Sequence, residues 1–151
     1  MEGYDFDAAA GTIKIEDITT DYTNRDILRR LKGNDPNLDY LWVMGKRDDD
    51  VGSGYCPDSI RELGLLGYCI GKNTNLKALL FSLNPFEDFN DDAMEVFGRG
   101  VNRNKSIQIV SLTKMDLFGG HIFRSLGPFF ENNHSISEIE VDTCEFGAGC
   151  A

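Results

Sequence analysis

Side chains able to do chemistry are few in this chain, and their spacing builds no reaction centre. His121 and His134 are its two histidines. The first stands near an expected helix start and the second in a turn before a strand. Neither falls in a nucleophile motif, and no phosphate loop is present. Cys56, Cys69, Cys144 and Cys150 contain no C-x-x-C pair, so no zinc site is expected. Asp48, Asp49 and Asp50 lack the glycine and distal glutamate of a calcium loop. Glu87-Asp88 and Asp91-Asp92 read as helix-entry and loop charges rather than as an acid–base pair. The expectation is therefore no enzyme, no metal and no cofactor. What remains is contact chemistry on a surface, and the elements that could build such a surface are legible.

Three segments share one eleven-residue pattern. Leu76–Phe86 is LKALLFSLNPF, Ile107–Leu117 is IQIVSLTKMDL and Ile136–Phe146 is ISEIEVDTCEF. Each is apolar-x-x-apolar-x-apolar-x-x-(Asn, Met or Cys)-x-apolar. Weaker copies start at Leu38 and Ala10. The alternation inside each copy describes a short strand. Between strands, columns align at fixed distances before Leu76, Ile107 and Ile136. Asn73, Asn104 and Asn133 lie three residues before, and Gly67, Gly98 and Gly127 lie nine before. Apolar columns at Leu63/Met94/Phe123, Leu66/Phe97/Leu126 and Ile70/Val101/Phe130 have helical spacing. The Gly column is expected where a helix passes close to its strand. Units of a short strand followed by a helix give a parallel sheet with helices outside it.

The pattern LxxLxLxxNxL, followed by a helix and an Asn-x-Ser turn, resembles leucine-rich repeats. The long period and real helices look like the ribonuclease-inhibitor subtype, over roughly residues 24–151. The resemblance implies an α/β solenoid, a horseshoe with an inner parallel sheet and outer helices. It departs from the family at the Asn position, which only Asn84 keeps; Met115 and Cys144 replace it. Residues 1–9 are expected as a flexible lead-in. Residues 10–151 are expected as one domain of about four to five repeats that ends mid-repeat, either a piece of a longer array or an end-to-end oligomer.

Strands are expected at 13–15, 38–43, 78–82, 108–112 and 138–142, and helices at 24–33, 59–71, 91–102 and 120–131. Pro128 should break the last helix. Ser59 and Glu62 form a capping box, Asn24 opens the first helix and Gly33 closes it. Arg47–Ser59 reads as a polar loop inserted in the second repeat. Leu79, Phe81, Val110, Leu112, Ile139 and Val141 should be buried. The alternate residues face out: Tyr40, Trp42, Met44, Leu80 and Ile109 as an apolar patch, and Glu138, Glu140 and Asp142 as an acidic edge. The patch fits a protein partner; alternatively, Trp42 covers the end of the solenoid beneath the 47–59 loop.

A formal net charge of −10 argues against nucleic acid as partner, and the acidic edge of Glu138, Glu140 and Asp142 would steer a basic protein. The basic cluster Arg29, Arg30 and Lys32 reads as the cationic end of a helix. No apolar run is long enough to cross a membrane, and the unpaired cysteines fit a reducing, cytoplasmic setting. The sequons at Asn104 and Asn133 fall in the repeating Asn column and read as turns. The expected function is a protein-interaction module that uses the concave sheet. The family resemblance also leaves open a regulator of a GTPase, similar to Ran GTPase-activating proteins, or a structural part of a larger repeat receptor.

Overall fold

The computed structural model describes residues 13–45, 54–83, 85–86, 89–115, 127, 130–131 and 133–142. The lead-in, Asp48–Asp50, His121, Pro128 and most of the helix expected at 120–131 lie outside them. Four strands, β1 (Tyr40–Met44), β2 (Ala78–Ser82), β3 (Ile109–Thr113) and β4 (Glu138–Asp142), form one parallel sheet in sequence order. Helices α1 (Tyr22–Lys32), α2 (Ile60–Lys72) and α3 (Asp91–Val101) connect or precede them. The fold is thus mixed α/β. One face of the sheet is dry: Leu41, Val43, Leu79, Phe81, Val110 and Leu112 are buried with Leu63, Leu66, Ile70 and Phe97 of the helices. Phe81, Phe86 and Phe97 pack as a triangle with centroids 5.1–6.4 Å apart.

Three buried or half-buried asparagines set the spacing between units. The Oδ1 of Asn73 accepts from the amides of Asn75 and Leu76, at 2.9 and 2.8 Å. Asn104 does the same for Ser106 and Ile107, both at 2.8 Å, and Asn133 for Ser135 and Ile136, at 2.7 and 3.0 Å. Each carboxamide nitrogen then reaches back one unit. Asn73 donates to Leu31 O, Asn104 to Ile70 O and Asn73 O, and Asn133 to Asn104 O. Leu31 and Ile70 lie in the last turns of α1 and α2, whose carbonyls have no partner within the helix. Ser106 and Ser135 add parallel rungs, donating to Leu76 O and Ile107 O at 2.7 Å each. The turn role read for both sequons holds, and Asn104 is sealed from solvent.

Elsewhere the structure differs from expectation. The strand expected at 13–15 is a 3-10 turn, Ile15–Asp17. Ile15 and Ile18 lie three apart, the repeat of that turn rather than of a strand. Asp21, not Asn24, caps α1, its side chain accepting from Asn24 N. Of the Gly column, Gly67 serves helix–helix rather than helix–strand contact, and a Cβ on Gly127 would meet nothing within 4 Å. A Cβ on Gly67 would stand 2.6 Å from Phe97 O, and one on Gly100 would stand 2.4 Å from the carbonyl carbon of Gly67. Ile139 and Val141, expected in the core, are 51% and 47% exposed. β4 is the last strand of the sheet, and among the described residues a strand pairs with it on one side, that of β3. The basic end of α1 is ion-paired, Arg30 to Asp35 at 2.8 Å and Arg29 to Glu16.

The largest difference is at β1. The end of the segment read as a solvated loop returns to the sheet. Tyr55 N donates to Trp42 O at 2.7 Å and Met44 N donates to Tyr55 O at 2.8 Å, a parallel bridge on the outer edge of β1. Tyr55 is fully buried. Its hydroxyl donates to Glu62 Oε1 at 2.8 Å, and Asn24 Nδ2 donates to the same oxygen at 2.6 Å. Asp58 N donates to Glu62 Oε2 at 2.8 Å. Asn24 also binds both the N–H and the C=O of Cys56. The capping box is therefore half formed. Ser59 accepts from Glu62 N, but the Glu62 carboxylate serves Asp58 and the buried cluster.

Burial raises the pKa of Glu62 above its ordinary 4.5, against the hydrogen bonds from Tyr55, Asp58 and Asn24, which lower it. A carboxyl raised in the folded state binds more protons folded than unfolded, so its contribution to stability falls as pH rises from the unfolded value through the folded one. Wild-type stability should therefore drop relative to Glu62→Gln as pH climbs above about 4.5, read by urea titration at a series of pH values; a pH-independent difference would contradict this. Leu112→Ala should cost about 2–5 kcal/mol. Asn104→Ala leaves the amides of Ser106 and Ile107 without their acceptor and should cost about 2 kcal/mol or more, since each such group costs roughly 1–3 kcal/mol. Both are checked by the same titration.

Candidate functional site

The face of the sheet opposite the helices is a grid fixed by strand register. Tyr40, Ala78, Ile109 and Glu138 form one row. Trp42, Leu80, Ser111 and Glu140 form the next, and Met44, Ser82, Thr113 and Asp142 the third. Neighbouring strands lie about 4.8 Å apart, so the face spans about 14 Å from β1 to β4. Chemistry grades along that distance. It is aromatic at β1, aliphatic and hydroxylic at β2 and β3, and wholly acidic at β4. The gradient arises because strands pair in sequence order, so each unit contributes one column.

Four of the eight expected contact residues are exposed. Tyr40 is 57% exposed, and Glu138, Glu140 and Asp142 are exposed along β4, while Leu80 is half-buried. Ile109 is also half-buried and sits beside Ala78 in register, a row away from Leu80. Trp42 is half-buried, its Nε1 donating to Ser82 Oγ at 2.6 Å across the strand pair. That bond holds the indole over β2 and leaves part of it open. Met44 is a correction: it is 1% exposed. Gly54 lies against it, so close that a Cβ there would stand 2.7 Å from Met44 Cε. Gly54 thus covers the end of β1 at Met44, while Tyr40 stays exposed. Sequence reasoning missed this because Gly54 and Tyr55 sit among polar residues. The signal was Tyr55 itself, a large aromatic a few residues before a helix cap.

The titratable groups most displaced from ordinary behaviour are away from this face. Burial and the Glu62 carboxylate push the Tyr55 hydroxyl far up, and burial pushes the Cys69 thiol up to about 12. Both are sealed in the core, where they pack rather than react. Among the described residues no three His, Cys, Asp or Glu side chains group as a metal site would need. No helix among them is long and apolar enough to cross a membrane. Arg99, on α3, pairs with Glu95 one helical turn away at 3.7 Å.

No family model matches the sequence. No curated protein matches it either. Among solved structures the chain is similar to Leiomodin-1 actin-binding site 2, with a TM-score of 0.52 and 19% identity over 80% of this chain. The match spans 62% of that chain. At this identity the likeness is one of fold.

Proposed function

We propose that the chain is a leucine-rich repeat solenoid of the ribonuclease-inhibitor type, acting as a protein-interaction module through the open face of its sheet. The observation that carries this reading is the graded grid. Tyr40 and Trp42 stand at one end with apolar neighbours Leu80 and Ile109, and three carboxylates stand at the other. Exposed aromatic groups beside aliphatic ones provide affinity by leaving water, and such residues dominate contact energies. Glu138, Glu140 and Asp142 attract a basic partner and set its orientation, acting mainly on the rate of association. Met44 takes no part. The repeated asparagine rungs and the in-order parallel sheet support the solenoid. The fold likeness to an actin-binding fragment of leiomodin supports a protein as partner, as analogy.

A photo-crosslinking residue at position 40 should capture the partner, and the same residue at Arg99 on the helical side should not. With that partner, Trp42→Ala should weaken binding by at least about 2 kcal/mol, while Trp42→Phe should lose less. Glu140→Lys should slow association, with an effect that fades as salt is raised. Unchanged affinity for a folded Trp42→Ala protein, judged by circular dichroism, would mean the indole only covers the end of β1, and this reading would fail.

A further inference from the structure

At β1 the outer edge of the sheet is occupied by Tyr55. At β4 no strand among the described residues pairs with the outer edge. A parallel strand turns half of its N–H and C=O groups to each side, so the backbone groups of Ile139 and Val141 face outward, where no strand among the described residues pairs with them. The side chains flanking that edge are unusual for a sheet end. On the helix-side face, Ile139 and Val141 occupy the register of Val110 and Leu112, which are fully buried, yet remain about half exposed. On the open face, Glu138 and Glu140 stand exposed. Behind the edge, a Cβ built on Gly127 would meet nothing within 4 Å, whereas one on Gly67 or Gly100 would meet the backbone of the neighbouring helix.

We propose that the outer edge of β4 is a docking site for an extended peptide segment of another protein in which basic and apolar side chains alternate, added to the sheet as its next strand. Strand addition completes the backbone hydrogen bonds, and the period of two divides the incoming side chains between the faces. Those on the open face come about 4.8 Å from the strand line of Glu138 and Glu140, where Lys or Arg is favoured. Those on the other face come beside Ile139 and Val141 and remove them from water. Charge selects against a second copy of this chain. Pairing of β4 with itself would set its carboxylates against one another, and each chain carries a net −10. None of β1 to β4 contains a Lys or Arg, so none of these strands offers the required alternation. Residues 143–151 contain neither as well.

This site is separate from the aromatic end of the open face, and its test separates the two. The probe is a short end-blocked peptide of alternating Lys and Val, titrated against the full chain by isothermal calorimetry. A second peptide has the same sequence with every other amide methylated, so that it cannot extend the sheet. The expected result is saturable binding to the first peptide and about tenfold weaker binding to the second, on the scale of one or two net hydrogen bonds. Val141→Lys should weaken binding of the first peptide comparably, and Trp42→Ala should leave it unchanged. Equal binding of both peptides would show simple charge attraction and overturn the proposal. So would no binding, which would mean that Glu138 and Glu140 only guard the edge. A loss of binding in Trp42→Ala would move the peptide to the open face and also overturn it. Sedimentation showing self-association of the free chain through this edge would assign it to a second copy and overturn it likewise.

Discussion

A carboxamide with its acceptor turned to its own turn and its donors turned one unit back is the interaction on which this molecule depends. Asn104 does this with 1% of its surface exposed. Its oxygen closes the turn that starts β3, and its nitrogen ties that turn to the end of α2 and to Asn73. No other uncharged side chain supplies an acceptor and two donors at that length; glutamine adds a methylene, and aspartate loses the donors. The cost of burying an amide is met only when all its groups are paired. Three such residues in sequence order therefore lock turn to turn and strand to strand. The open-face grid inherits its alignment from them.

That dependence explains which parts of the fold were legible. The Asn, Leu and Phe columns recur because each unit makes the same bonds and fills the same core. Hence β2 and β4 take the expected bounds, and Leu79, Phe81, Val110 and Leu112 are buried as read. The readings that failed are those where no described strand lies alongside or an unusual segment does. Ile139 and Val141 have the core pattern, but burial depends on a neighbour beyond β4 that no strand spacing can report. Ile13 and Ile15 alternate like a strand, yet Ile15 opens a 3-10 turn, and no strand among the described residues pairs with it. Met44 follows the outward alternation and is covered by Gly54, a contact across an insertion. Gly67 makes the close approach read for its column, but to a helix rather than a strand, and Gly127 of the same column meets nothing within 4 Å, since spacing tells neither what lies opposite a glycine nor how near it is.

The buried cluster of Asn24, Tyr55 and Glu62 plays at β1 a part that asparagine plays elsewhere. It pairs the polar groups of a segment that carries no repeat pattern and fastens it against the sheet. Its ionisable member makes this end sensitive to pH, whereas the asparagine rungs do not titrate. The two ends of the sheet thus differ in kind. At β1 the edge is filled by the chain itself, and the aromatic residues beside it stay partly open. At β4 the edge carries carboxylates on one face and half-covered aliphatic groups on the other. A face graded between these ends has a direction, and a partner reading both aromatic and acidic portions is held in one orientation.

The central claim is that the asparagine carboxamides hold the units in register, as part of the cooperative structure rather than as ornaments of its turns. Native-state hydrogen exchange tests it at the amides of Leu76 and Ile107, which donate to Asn73 and Asn104 within their turns. The account predicts that these amides open only with global unfolding, with the same free energy as those of Leu79 and Val110 in the adjoining strands. Exchange of the Leu76 and Ile107 amides by small local openings, while the strands stay protected, would contradict it.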